Sequence, residues 1–150
     1  VVVDQDNITD GLLIVSCSRR KAVTSRPVPA LDLYQGWVVP LVRARLGAHG
    51  AARRRVLILS ALHGLIAADH PVTTYEQPMT VEQQRIVSTT APETLRRHLA
   101  AHRTTRALLL MEAPYAQALG PVPVQDVRLI TDPMDRHDEV HCILDSWSWP

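Results

Sequence analysis

Residues 16–21 read Ser16-Cys17-Ser18-Arg19-Arg20-Lys21. A thiol between two hydroxyls stands directly before three cations. Cations and helix N-termini favour a cysteine's thiolate and so its reactivity. Cys17 is the candidate nucleophile, Ser16 and Ser18 are candidate hydroxyl contacts to a substrate, and Arg19 and Lys21 are candidate anion contacts. The plain alternative for Cys17 is a small buried residue closing a strand, since free cysteine is among the most buried residue types. The serines do not belong to a serine elbow, because the G-x-S-x-G pattern is missing.

A second group follows at Ser60 and His63-Gly64. Histidine titrates near neutrality, so His63 is a candidate general acid or base. The alternative is a loop histidine bonded to backbone. Gly64 permits a tight turn or a close ligand approach. Tyr34, Tyr75 and Tyr115 each offer a stacking face and a polar tip, for substrate or for packing. Farther on, Asp135, His137 and His141 lie in DRHDEVH, where the two histidines share a helix face as a metal pair needs. The zinc motif H-E-x-x-H is not met, because the acid is displaced by one position. There is no Gly-rich phosphate loop of either standard type, and nothing implies a cofactor.

These groups need elements to position them. Gly11–Val15, Val56–Leu59 and Ala107–Met111 are short apolar runs, and with Val127–Ile130 they read as strands. Helical stretches alternate with them. Ala30–Tyr34 makes a turn that Gly36 breaks, and Trp37–Leu46 makes a helix with Pro40 in its first turn, stopped by Gly47 and Gly50. Thr80 with Gln83 fits a capping box, and Pro92 splits the helix that follows, leaving Thr94–His102 as its second piece. Pro114–Leu119 and Arg136–Trp147 complete the set. Alternation of this kind predicts an α/β domain, a mainly parallel sheet of about four strands flanked by helices, with right-handed crossovers. Ligands of such sheets bind beyond the carboxyl ends of the strands. Those ends bring Ser16–Ser18, Ser60, Glu112 and Thr131–Asp132 to one rim.

The whole chain sets limits. Its 150 residues fit one domain, 11–150, behind a short lead-in at 1–10. The net charge of +1 is not that of a general nucleic-acid binder. Arg53–Arg55 reads as a solvated lead-in to a strand, or as a phosphate grip if the protein binds nucleic acid. Cys17 and Cys142 do not make a disulfide framework and suit a reducing compartment. No apolar run approaches the roughly twenty residues of a membrane span, and the N-terminal residues do not resemble a secretory signal. A cytoplasmic protein is expected.

Four blocks carry a resemblance. Ser16-Cys17-Ser18-Arg19-Arg20-Lys21, Leu33-Tyr34-Gln35-Gly36, Ile58-Leu59-Ser60-Ala61-Leu62-His63-Gly64-Leu65 and Thr74-Tyr75-Glu76-Gln77-Pro78-Met79 follow one another over nearly half of the chain. In this order they resemble a family of small, largely uncharacterised bacterial and phage domains with the signature S-C-S-x-x-K, L-Y-x-G, I-L-S-A-x-x-G-L and P-Y-x-x-x-M. Thr74 departs from the proline of many relatives. The first block is also similar to the cysteine-serine-lysine motif of archaeosine synthases, which modify a deazaguanine in transfer RNA and whose core domain resembles the uracil-DNA-glycosylase fold. A more distant likeness is to peroxide-stress proteins of the YaaA type.

These resemblances imply a nucleobase, nucleoside or nucleotide substrate. The expected activity is N-glycosidic cleavage or transfer, or a cysteine-assisted attack on a base. Cys17, Ser60 and His63 form the expected catalytic set, and Ser16, Ser18, Arg19, Lys21, Tyr34, Gly36, Gly64 and Tyr75 the expected substrate contacts. The rival readings are a nucleic-acid-binding module and a metal-dependent hydrolase built on Asp135, His137 and His141.

Overall fold

β1, Leu12–Ser16, is buried at all five of its positions. A computed structural model describes residues 7–150; positions 1–6 of the expected lead-in lie outside the described residues. Among the described residues, β1 is the middle strand of a five-stranded sheet ordered β4-β3-β1-β6-β7. Here β3 is Val56–Ser60, β4 Gly64–Ala67, β6 Arg106–Leu110 and β7 Asp126–Ile130. β1 pairs in parallel with β3 and β6, and β6 in parallel with β7, while β4 runs antiparallel along β3. Val28–Pro29 (β2) and Pro71–Val72 (β5) form a small antiparallel pair of their own.

The alternation of β1 explains the layers. Leu13 and Val15 face one apolar cluster, and Leu12 and Ile14 face the other. The first cluster is closed by α1 (Ala30–Leu33), α2 (Val39–Leu46) and α6 (His137–Ser146). The second is closed by α4 (Val81–Ala101) and α5 (Ala113–Leu119). A sheet covered on both faces requires apolar residues on both faces of its central strands, which is why β1 and β3 read as unbroken apolar runs. From β1 the chain moves outward to β3. It then crosses back past β1 to reach β6, so the direction of winding reverses between β1 and β6.

Four parallel strands match the expected sheet, and the fifth is new. Residues 61–63 form a turn that sends the chain back antiparallel from Ser60 to Gly64. Gly64 holds φ at +75°, the left-handed value such hairpins need. Its four-residue strand is too short to show a period.

Several helix expectations are corrected. α4 is continuous through Pro92 and runs for 21 residues. The proline removes a backbone donor on an exposed face, while Val87, Ala91 and Leu95 keep a buried stripe at i, i+4 and i+8 on the other. That stripe holds the two halves in one helix. Its start is as expected: Thr80 Oγ1 accepts from Gln83 N at 3.1 Å. α2 begins at Val39 rather than Trp37, because Trp37 takes a left-handed φ of +58° and cannot open a helix. Gly50 starts a further short helix, α3 (Gly50–Arg53), instead of serving only as a stop.

The ends are tied down by polar contacts. Asp10 accepts from the N–H of Gly11 and from both the N–H and the hydroxyl of Thr105. Burial raises its carboxyl, but the Thr105 and Gly11 hydrogen bonds outweigh that and hold it below the usual carboxylate range. Trp149 donates from Nε1 to the Asp10 carbonyl at 3.0 Å. Arg45 donates to Asp145 at 2.6 Å and to the Pro150 carbonyl at 2.7 Å. Among the described residues, no helix is long and apolar enough to cross a membrane.

Candidate active site

Cys17 extends β1 by one residue, its N–H donating to the Leu59 carbonyl at 2.9 Å. The thiol lies 3.5 Å from Tyr115 Oη. Tyr115 stands in the first turn of α5, just beyond the end of β6. The pair therefore sits over the seam between β1 and β6, where the winding of the sheet reverses and open α/β sheets place their ligands. Burial, and then the neighbouring Cys17, pushes the Tyr115 phenol up, so it keeps its proton at neutral pH.

The basic loop is held by its own backbone. Ser18 Oγ donates to the Arg20 carbonyl at 2.6 Å and accepts from Gly36 N at 3.2 Å. A Cβ on Gly36 would come within 3.2 Å of Arg20 Cβ, so the missing side chain lets the two loops meet. Lys21 forms an isolated antiparallel bridge with Tyr34. Its ammonium donates to the Arg19 carbonyl at 3.1 Å and stands 4.5 Å from the centre of the Tyr75 ring, within cation–π range. Arg43 donates to the Leu31 and Tyr34 carbonyls and fixes the end of α1 beneath this loop.

Three hydroxyls form a chain beside it. Tyr75 Oη lies 2.6 Å from Tyr34 Oη and 2.6 Å from Ser60 Oγ. Ser60 Oγ accepts from the N–H groups of Leu62 and His63, at 3.2 and 3.0 Å. Both of its lone pairs are then occupied, so Ser60 donates to Tyr75. Tyr34 is fully buried, with Tyr75 as its hydrogen-bond partner. Its proton therefore goes to Tyr75 as well, because a buried orphan donor is costly. Burial raises Tyr34 to about 12. Tyr75 is raised too, by burial first and then by the nearby Cys17 and Tyr34. Both phenols are neutral at physiological pH.

Two cavities open at this rim. The larger is about 500 Å³ and is walled by Cys17, Arg19, Lys21, Glu76, Met79 and Tyr115, among others. The second is about 320 Å³, with Ser16, Trp37 and Glu112 on its wall. Cys17, Ser18, Arg19 and Tyr115 line both, so they form the partition between the two.

The structure thus brings Ser16, Cys17, Ser18, Arg19 and Lys21 to the cavities. Tyr34, Gly36 and Tyr75 support that wall from behind and line neither space. Ser60 is fully buried, with its oxygen occupied by backbone donors, and it positions Tyr75. His63 is exposed and outside both cavities, its ring edge-on to Tyr75 at 5.0 Å; burial, then His70, lowers its pKa. Gly64 faces Thr90, 3.2 Å from where its Cβ would stand, and serves the hairpin. Thr131 and Asp132 line neither cavity, and Asp132 pairs with Arg136 at 3.2 Å.

Asp135, His137 and His141 do not gather: among the described residues no group of three or more His, Cys, Asp or Glu side chains is placed to hold a metal ion. His141 Nδ1 instead accepts from Arg45 at 2.9 Å. The Arg53–Arg55 cluster is also used internally. Arg53 pairs with Asp69 at 2.5 Å, and Arg55 is buried, donating to the Gly11 and Arg103 carbonyls.

Trp37, Glu76 and Met79 are wall residues that sequence reasoning missed. Tyr115 and Glu112 carried a signal, since both follow the β6 strand end. Trp37 carried none, because its helical spacing hid a left-handed backbone.

Compared with known proteins, the chain matches, over residues 12–138, the family of unknown function DUF6884, and it belongs to that family. No curated protein matches it.

Proposed function

For this member of a family of unknown function, we propose an enzyme that acts on a mononucleotide or a related nucleobase-containing small molecule, breaking or transferring its N-glycosidic bond. The observation that carries the reading is the Cys17–Tyr115 pair, 3.5 Å apart on the partition between two cavities at the reversal point of the sheet. A ligand with an anionic end and an aromatic end fits two joined spaces of unlike lining. Arg19 and Lys21 attract the phosphate in the larger one. The glycosidic carbon then lies at the partition.

The bond change is simple to balance. The bond from C1′ to the base nitrogen breaks, and its electron pair leaves with the base. Water, or an acceptor hydroxyl, supplies the oxygen that C1′ gains. The proton released there passes through the Cys17–Tyr115 pair to the departing base. Tyr115 suits this role because it holds its proton at neutral pH and touches the thiol. Ser60, Tyr34 and Tyr75 hold the wall on which Lys21 stands. The likeness of the Ser16–Lys21 block to archaeosine synthases points to the same substrate class, as an analogy of motif. Two free cysteines suit a cytoplasmic, reducing setting. The internal use of Arg53 and Arg55 speaks against the rival of a nucleic-acid grip.

The test is a thermal-shift screen of nucleobases, nucleosides, mononucleotides and short oligonucleotides, followed by chromatographic assay of base release. A ligand at a hundred times its Kd adds about 2.7 kcal/mol of stability. Lys21→Ala should abolish the shift given by mononucleotides. Cys17→Ala and Tyr115→Phe should keep the fold and lose base release. Absence of any mononucleotide shift, or full base release in both variants, overturns the proposal.

A further inference from the structure

The second cavity has a chemistry of its own. Beyond the residues it shares with the larger cavity, Arg19 among them, its wall adds one indole, from Trp37, and one carboxylate, from Glu112. Trp37 is half-buried and packs against both apolar clusters, so the ring is held from behind. Its backbone takes φ +58°, a conformation that a bulky residue rarely adopts. Strain of this kind persists where the surroundings over-determine it, and it concentrates at ligand sites. Here it sets the indole into the cavity wall immediately before α2 begins at Val39. Glu112 is exposed and stands two residues beyond the end of β6, on the far side of the Cys17–Tyr115 partition from Lys21.

We propose that this second cavity is the base-recognition subsite, with Trp37 as the stacking surface and Glu112 as the reader of a base edge that presents two adjacent N–H donors. The inference rests on the reading that the site takes a nucleobase. It adds which end of the ligand goes where and which base is preferred. A carboxylate only accepts hydrogen bonds, through two parallel oxygens, so it matches two neighbouring donors. The guanine edge offers a ring N–H beside an amino group. Adenine and cytosine place an acceptor nitrogen beside their amino group, which repels the second oxygen. Uracil has one N–H between two carbonyls. The indole face is indifferent to base identity, because every base has a π-face. Trp37 supplies affinity and Glu112 supplies choice.

The experiment measures binding of GMP, AMP, CMP, UMP and ribose 5-phosphate by calorimetry to the wild type and to Glu112→Gln, Trp37→Leu and Lys21→Ala, with circular dichroism confirming each fold. We expect GMP to bind about tenfold or more tighter than the other three nucleotides. Glu112→Gln should erase most of that preference. Trp37→Leu should weaken all four nucleotides and spare ribose 5-phosphate. Lys21→Ala should weaken all five. Equal binding of the four nucleotides, or a GMP preference that survives Glu112→Gln, overturns the base assignment and leaves the proposed function standing. If none of the four binds, the proposed function falls, and the assignment with it.

Discussion

The Ser60 hydroxyl lies 2.6 Å from that of Tyr75, and two backbone N–H groups aimed at Ser60 decide which of them gives the proton. Ser60 must donate. Tyr75 then accepts from Ser60 and from Tyr34, while its ring stands 4.5 Å from the Lys21 ammonium.

Unequal costs follow from that direction. Ser60→Ala leaves the Leu62 and His63 N–H groups without their acceptor and should lower stability by about 1–3 kcal/mol. Tyr34→Phe removes a donor whose acceptor keeps a second partner, and should cost about 0.5–1.5 kcal/mol. Urea unfolding of the two variants checks this. If Tyr34→Phe proves the more damaging, the assigned direction is wrong.

The pH dependence has a separate origin, at the far end of α4. Burial lowers the pKa of His98 to about 4, with His102 and Arg55 adding to the effect. Its Nε2 is buried and has no hydrogen-bond partner among the described residues, and its ring stacks on His102 at 4.5 Å. The unfolded chain binds a proton near pH 6.5, while the folded one resists it down to about 4. Through that window the unfolded state carries more protons, so stability is full above 6.5 and is lost as pH falls toward 4. His98→Phe should flatten this slope in unfolding midpoints measured between pH 7 and pH 4. An unchanged slope would assign it to other groups.

Pro92 offers a gain. It sits inside α4 on an exposed position, where it deprives the Ser88 carbonyl of its helical donor. Pro92→Ala restores that bond and should stabilise the protein by up to about 3 kcal/mol. The gain should appear as a higher urea midpoint with the same slope. A neutral outcome would mean that the helix already bends to relieve the clash.

How much of this was legible in the residues depends on what each part rests on. β1, β3 and β6 were legible because strands covered on both faces are apolar along nearly all of their length; β7, exposed at four of its five positions, was legible only from Val127, Leu129 and Ile130. Their rim was legible with them, so Ser16 to Lys21 came out beside the cavities. Pro92 misled because local backbone chemistry argues for a break, and only the tertiary stripe of Val87, Ala91 and Leu95 overrides it. Trp37 was hidden for a similar reason. A left-handed residue leaves no trace in spacing when its side chain is apolar and its neighbours are helical. His63 and Ser60 show a third limit: a strand end gives the rim, but not which way each side chain turns once a hairpin begins.

The two cysteines should report on the site in a single reaction. Cys142 is exposed on α6, far in sequence from the cavities, while Cys17 is only 8% exposed and lies on their partition. A maleimide should modify Cys142 quickly and Cys17 about tenfold or more slowly, since the thiol of Cys17 must be reached through the cavity and parted from Tyr115. Peptide mass spectrometry over time separates the two. A mononucleotide seated at the partition covers Cys17 alone, so it should slow the second phase and leave the first unchanged. Tyr115→Phe removes the hydroxyl that contacts the thiol and should quicken the second phase without touching the first. Equal rates at both cysteines in the wild type would show that the Cys17 wall opens freely to solvent. Protection at Cys142 would place the ligand on α6 instead of at the seam between β1 and β6.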